Sequence, residues 1–206
     1  MVKKTNRIVL YAIVMAAVVG CAGCSSEDRL AGDSIDTLSA YDWQSYVADK
    51  TGIWVSVDRQ EVLLIDNNRV AKRYRCSTAA AGVGNKVDSG KTPLGWHRVG
   101  AKVGGELEVG AVLKDREWTG RVWKEGQHAD ADLILSRILW LEGLEAGKNR
   151  GGNIDTWNRY IYIHGTNQTD DLGTPVSAGC VRLDPHEVID LYERVKVGTP
   201  VLITRD

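Results

Sequence analysis

Residues Tyr160 to Leu183 read YIYIHGTNQTDDLGTPVSAGCVRL. The aromatic and β-branched run Tyr160-Ile161-Tyr162-Ile163 suits a pleated, half-buried surface, so Asn158 to His164 is expected to form a buried strand. Gly165 and Thr166 open the exit loop, Asn167 to Pro175 is polar, and the small residues Ser177-Ala178-Gly179 lead into Cys180. His164 and Cys180 are sixteen residues apart, too far for one helix face but suited to a strand, a loop and a return. A thiol becomes a strong nucleophile at neutral pH beside a base, and imidazole can be that base. If one ring nitrogen faces sulfur, the other needs an acceptor to fix the tautomer. No acidic residue is dedicated to it, so a backbone carbonyl such as that of Gly165 is expected there. The N–H groups of Gly179 and Cys180 are candidates to converge on a developing oxyanion.

Working outward, the C-terminal side has clear punctuation. Asp184-Pro185-His186-Glu187 offers a capping carboxylate, a proline at the first helical position and a glutamate three residues after the cap. Val188, Ile189, Leu191, Tyr192 and Val195 recur at helical spacing, Gly198 and Pro200 end the helix, and Val201-Leu202-Ile203 makes a last strand. On the N-terminal side, Ile53–Val57, Val62–Ile65 and Arg69–Ser77 read as three strands of an antiparallel meander, with Asp66-Asn67-Asn68 as a turn. Val70, Tyr74 and Cys76 are expected on one side of the third strand. Gly90 to Gly95 interrupts the pattern, and Trp96-His97-Arg98-Val99 resumes it with His97 as a strand residue. Leu133 to Leu141 reads as a strand, although Asp130 or Asp132 could cap a helix there. Lys114 to Asp130 is polar with Trp118 and Trp123 embedded, either core residues or part of a flap over a site. The fold class expected from these elements is mainly β.

The first residues place that chemistry. Lys3, Lys4 and Arg7 precede an unbroken apolar run, Ile8 to Val19. Twelve residues are short for a bilayer span, which takes about 20, and fit a secretory leader over residues 1–20. Val18-Val19-Gly20-Cys21 resembles a lipobox, in which Cys21 is lipidated; Cys21-Ala22-Gly23-Cys24 is a second, weaker match. Neither Ala22 nor Ser25 is the aspartate that retains lipoproteins at the inner membrane, which favours an outer-membrane address facing the periplasm. Residues 21–51 are expected to be a tether with a short helix between Leu38 and Lys50, and 52–206 the folded domain. The leader holds three basic residues and no acidic one, so its removal takes the net charge from −1 to about −4. No basic stripe suggests a nucleic-acid partner. Cys21-x-x-Cys24 lacks a second pair, so no metal site is expected, and no cofactor. Cys76 and Cys180 stand either as a disulfide or as a buried and a reactive thiol.

His164-Gly165-Thr166 followed by Ser177-Ala178-Gly179-Cys180-Val181-Arg182-Leu183 resembles the signature of the L,D-transpeptidase catalytic domain, the YkuD domain. The resemblance extends to Thr92-Pro93-Leu94-Gly95, to Leu133–Gly143 and to the segment ending Gly198-Thr199-Pro200-Val201, about residues 52–204. It implies a β-sandwich-like fold with short capping helices. It also implies attack by Cys180 on the diaminopimelate carbonyl of a peptidoglycan tetrapeptide stem. D-Alanine leaves, and a stem amine, a protein lysine or water resolves the thioester. On that resemblance His164 is base and then acid, the Gly165 carbonyl orients the imidazole, Gly179 and Cys180 supply oxyanion N–H groups, and Ser177 braces the turn. Arg182 either holds a substrate carboxylate or makes a structural ion pair. Many members carry histidine where this chain has Ala178. A hydrolase on the same site, or a non-catalytic wall-binding lipoprotein, are the alternatives.

Overall fold

The computed structural model describes residues 41–47, 51–129 and 131–206. The leader, Cys21, Cys24 and the expected tether up to Ala40 lie outside the described residues, as do residues 48–50 of the expected helix. Of that helix, one turn is described, α1 (Trp43–Tyr46).

The strands are β1 (Thr51–Ser56), β2 (Glu61–Asp66), β3 (Arg69–Arg75), β4 (Gly95–Val103), β5 (Ala111–Lys114), β6 (Glu117–Val122), β7 (Ile134–Gly143), β8 (Tyr162–Gly165), β9 (Val181–Leu183) and β10 (Pro200–Thr204). One longer helix, α2 (Pro185–Arg194), joins β9 to β10. β1, β2 and β3 form the expected meander, with Asn67 and Asn68 both left-handed in the turn between β2 and β3. β10 then pairs parallel with β1 and antiparallel with β4, and β4 pairs with β7. β7 carries β8 and also, at its N-terminal end, the β5–β6 hairpin. β9 pairs parallel with β8. Bridges from Ser77 to Arg182 and from Ala79 to Ser177 bring the chain after β3 against β9 and the turn before it. The sheet is thus folded over on itself, and its inner faces form the layers of a sandwich.

The inner core holds Ile53, Val55, Val62, Leu64, Tyr74, Cys76, Leu139, Leu141, Ile163, Val181, Val201 and Ile203. α2 contributes Val188, Leu191 and Tyr192 to the same core. Its N-terminus is capped by Asp184, whose Oδ1 accepts from the N–H of His186 at 2.7 Å and of Glu187 at 3.4 Å. The other face of β1, β2 and β10 is covered as well. Trp54, Leu63, Ile65 and Leu202 pack there with Trp96 and with Trp43 and Val47 from the α1 segment. Burial on both faces explains the nearly continuous apolar runs Ile53–Val57 and Val62–Ile65.

Two expectations need correction. A bulge between Leu64 and Ile65 skips Ala71 in the pairing, so Val70 joins the Trp54 side while Tyr74 and Cys76 face the inner core. The strand expected from Asn158 begins only at Tyr162. Tyr160 is left-handed, with φ 55°, and half exposed, because the chain turns at residues 156–160 before entering β8.

Gly165 ends β8 against α2. A Cβ there would sit 2.6 Å from the Leu135 carbonyl oxygen and 3.2 Å from the Pro185 Cα. Both are backbone atoms that cannot swing aside. Gly165→Ala is expected to cost about 1–3 kcal/mol, measured as a lower urea midpoint at unchanged m-value.

Candidate active site

The site grows from the β8–β9 pair. Ile163 lies beside Val181 and His164 beside Arg182. Ile163 and Val181 are fully buried in the inner core, so strand alternation puts Tyr162, His164, Cys180 and Arg182 on the opposite face. Cys180 sits one step before β9, next to Tyr162, and is diagonal to His164. Such diagonal neighbours have Cα atoms roughly 7–8 Å apart, within reach of long side chains.

His164 is 2% exposed. Its Nδ1 lies 2.9 Å from the Gly165 carbonyl oxygen. A carbonyl only accepts, so Nδ1 carries the proton and Nε2 keeps its lone pair. Burial pushes the imidazole pKa down, partly opposed by the Gly165 hydrogen bond and by Asp132. The ring is a neutral base with its proton on the nitrogen turned to the backbone.

The Cys180 sulfur is partly buried and unpaired with Cys76, which is fully buried; both are free thiols. The Tyr162 N–H donates to Sγ at 3.4 Å, and Sγ–H donates to the Tyr160 carbonyl at 3.5 Å. Burial pushes the thiol pKa up to about 11, with the Tyr162 N–H, Arg182 and Arg159 acting in the opposite direction. At rest the sulfur is therefore a thiol on the same face as a neutral imidazole.

The turn before Cys180 is braced from several sides. Ser177 Oγ donates to the Cys180 carbonyl at 2.6 Å and accepts from the Gly179 N–H at 3.2 Å. This commits the Gly179 N–H within the turn, a departure from the expectation that it faces an oxyanion. Gly179 itself has φ 134°, a conformation that excludes most side chains. Thr92 Oγ1 donates to the Gly179 carbonyl at 3.1 Å, which gives the Thr92-Pro93-Leu94-Gly95 element its place. Arg159 clamps the preceding loop through the carbonyls of Gly84, at 3.1 Å, and Lys91, at 2.5 Å.

Arg182 is buried. Its Nη2 pairs with Asp132 at 2.7 Å, and its Nη1 donates to Gln168 Oε1 at 2.9 Å. Of the two roles left open for it, the structural ion pair is the one it makes. Asp132 caps no helix; it holds Arg182 and accepts from Thr166 Oγ1 at 2.9 Å, tying the loop after His164 to the start of β7. Asp132, Arg159 and Thr92 escape a reading of the sequence as site residues because each acts through a long-range contact. His97 lies in β4, fully buried. Its Nδ1 donates to the Gly95 carbonyl at 2.9 Å, its Nε2 accepts from Thr156 Oγ1 at 3.1 Å, and burial lowers its pKa to about 3. Ala178 and His186 are exposed. Trp118, half exposed, lies on β6 of the hairpin. Among the described residues no group of three or more His, Cys, Asp or Glu side chains could hold a metal ion.

Residues 50–203 match the YkuD family, described as the L,D-transpeptidase catalytic domain. A 51-residue stretch is 47% identical to YqjB of Bacillus subtilis (strain 168), by its name a candidate L,D-transpeptidase. That stretch covers 25% of this chain and 29% of YqjB. Among solved structures, an L,D-transpeptidase from Mycobacterium smegmatis is 18% identical, over 75% of this chain and 58% of that one, with a TM-score of 0.46. One from Enterococcus faecium is 19% identical, over 75% and 50%, with a TM-score of 0.45. The chain thus spans under two thirds of each of these relatives.

With a neutral thiol at rest, alkylation of Cys180 by iodoacetamide should rise about tenfold per pH unit above neutrality, without a plateau before about pH 11. A plateau near pH 7 would instead mean a preformed thiolate–imidazolium pair.

Proposed function

Because this chain belongs to the L,D-transpeptidase catalytic domain family, we propose that it is a cysteine-dependent peptidoglycan transpeptidase. The observation that carries this reading is the pairing of β8 with β9, which sets Cys180 and His164 on one face with the His164 tautomer fixed by Gly165.

In the proposed reaction, the Cys180 sulfur attacks the diaminopimelate carbonyl of a tetrapeptide stem as its proton passes to His164 Nε2. The Cys180 N–H donates to the oxyanion, since the Gly179 N–H is held by Ser177. Collapse of the tetrahedral intermediate breaks the peptide bond. His164 returns the proton to the departing amine, and D-alanine leaves. The thioester on Cys180 is then attacked by an amine of a second stem or of a protein lysine, with His164 taking the proton of the attacking nitrogen. The imidazolium formed in the first step is transient in a dry setting, and the Gly165 carbonyl, accepting from Nδ1, stabilises it. Asp132 lies close enough to raise the imidazole pKa in the same sense.

The location proposed for this reaction is the cell envelope. The leader over residues 1–20 directs export, and lipidation of Cys21 anchors the domain at a membrane surface facing the periplasm, with the outer membrane favoured. Cys21→Ser should abolish acylation; continued lipidation would move the site to Cys24.

The protein incubated with tetrapeptide muropeptides should yield cross-linked dimers and free D-alanine by mass spectrometry. Tripeptide without dimers would assign the thioester to water and make the protein a carboxypeptidase. Cys180→Ala should lower turnover by on the order of 10³-fold or more, and His164→Ala by about 10²–10⁴-fold. Full activity of Cys180→Ala would sink the mechanism.

A further inference from the structure

We propose that Arg116 is the carboxylate receptor of this site, gripping a carboxylate of the peptide that Cys180 attacks. The proposal deepens the transpeptidase reading and rests on it.

Arg116 stands at the tip of the β5–β6 hairpin. Asp115 and Arg116 are both left-handed, with φ 51° and 69°, as in the tight two-residue turns that match strand twist. The turn carries the Arg116 side chain back over β7 and β8. Its guanidinium carbon lies 5.0 Å from the ring centre of Trp140 and 4.9 Å from that of Tyr160. Its Nη1 donates to the Tyr162 hydroxyl at 3.1 Å. Behind Trp140, Trp157 stacks at 3.7 Å with the planes 4° apart, and Tyr162 meets Trp140 edge-on at 5.7 Å. The guanidinium is thus oriented on a rigid aromatic platform.

The platform is also the wall of the nucleophile. Tyr162 supplies the N–H that reaches the Cys180 sulfur, and Tyr160 supplies the carbonyl that accepts from it. Tyr162 touches both groups: its hydroxyl accepts from the guanidinium and its backbone N–H donates to the sulfur. A planar guanidinium fixed by stacking loses little freedom on binding and matches a carboxylate in a two-point contact. Among the described residues no ion pair joins Arg116 to a carboxylate. The two arginines whose charge acts on the sulfur are engaged elsewhere: Arg182 with Asp132, and Arg159 with backbone carbonyls. The carboxylate role that the sequence leaves open for Arg182 therefore passes to Arg116.

Of the carboxylates on a tetrapeptide stem, Arg116 is assigned one of the two on the residues that share the scissile bond. One is the terminal carboxylate of the departing D-alanine; the other is on the diaminopimelate side chain. Three peptides separate them: the free acid, the terminal carboxamide, and the side-chain carboxamide. The rate of acyl-enzyme formation is read by intact-protein mass spectrometry for the full chain, Arg116→Gln and Arg116→Lys, with thermal melting as the check on folding. Arg116→Gln should lower kcat/KM on the free acid about 10- to 100-fold, chiefly through KM, and Arg116→Lys should recover part of the loss. On the carboxamide that removes the recognised carboxylate, wild type and Arg116→Gln should converge, and which carboxamide does so identifies the source. An equal loss on all three peptides would overturn the proposal and leave Arg116 as a clasp for the hairpin. If wild type forms no acyl-enzyme on any of them, the transpeptidase reading falls and this inference falls with it.

Discussion

The parallel register of β8 against β9 is the constraint from which the site follows. Ile163 and Val181 must both reach the inner core, and they are fully buried there. A slip of one residue would send His164 and Arg182 into that core and turn two apolar side chains toward solvent. The hydrophobic effect thus fixes the position of the polar face without acting on it. Parallel strands cannot be joined by a tight turn, which is why the connection from Thr166 to Cys180 is long and polar. It is held at several points: Ser77 Oγ donates to the Thr174 carbonyl at 2.6 Å, and the Ser177 N–H donates to the Thr78 carbonyl at 2.8 Å. The chain just after β3 and the turn before Cys180 are therefore one hydrogen-bonded unit.

The same burial that fixes the geometry sets the charge state. Desolvation raises the thiol and lowers the imidazole, so proton transfer from sulfur to nitrogen is uphill in the free protein. Arg182 and Arg159 work against the thiol shift, but Arg182 is largely neutralised by Asp132. In the proposed reaction such a pair acts only once a carbonyl is presented to the sulfur and an N–H awaits its oxygen. That restraint suits the proposed role of Cys180 as a nucleophile and its proposed export to an oxidising compartment, where a standing thiolate is prone to oxidation.

What the sequence made legible was local. The Asp184-Pro185 start of α2, the Asn67-Asn68 turn and the apolar runs of β1 and β2 depend on neighbouring residues, and they appear where the pattern put them. The pairing of His164 with a backbone carbonyl was legible for the same reason, since its partner is the next residue. What was hidden depends on distant contacts. The bulge that turns Val70 away from Tyr74 is set by the partner strand. The choice between two roles for Arg182 is made by Asp132, fifty residues earlier in the chain. The left-handed turn at Tyr160 breaks a run whose side chains all favour strand, because residues 156–160 close a turn in which the Tyr160 N–H donates to the Trp157 carbonyl, and the Tyr160 carbonyl accepts from the sulfur.

In the proposed reaction Cys180, on the face that the β8–β9 register gives it, becomes covalently acylated by a stem peptide. Intact-protein mass spectrometry during turnover, followed by proteolytic mapping of the adduct, tests it most directly. The expected result is a mass gain equal to the tetrapeptide less D-alanine, carried on Cys180 and absent from Cys180→Ala. An adduct on another residue, or turnover by the alanine variant at the wild-type rate, would contradict it.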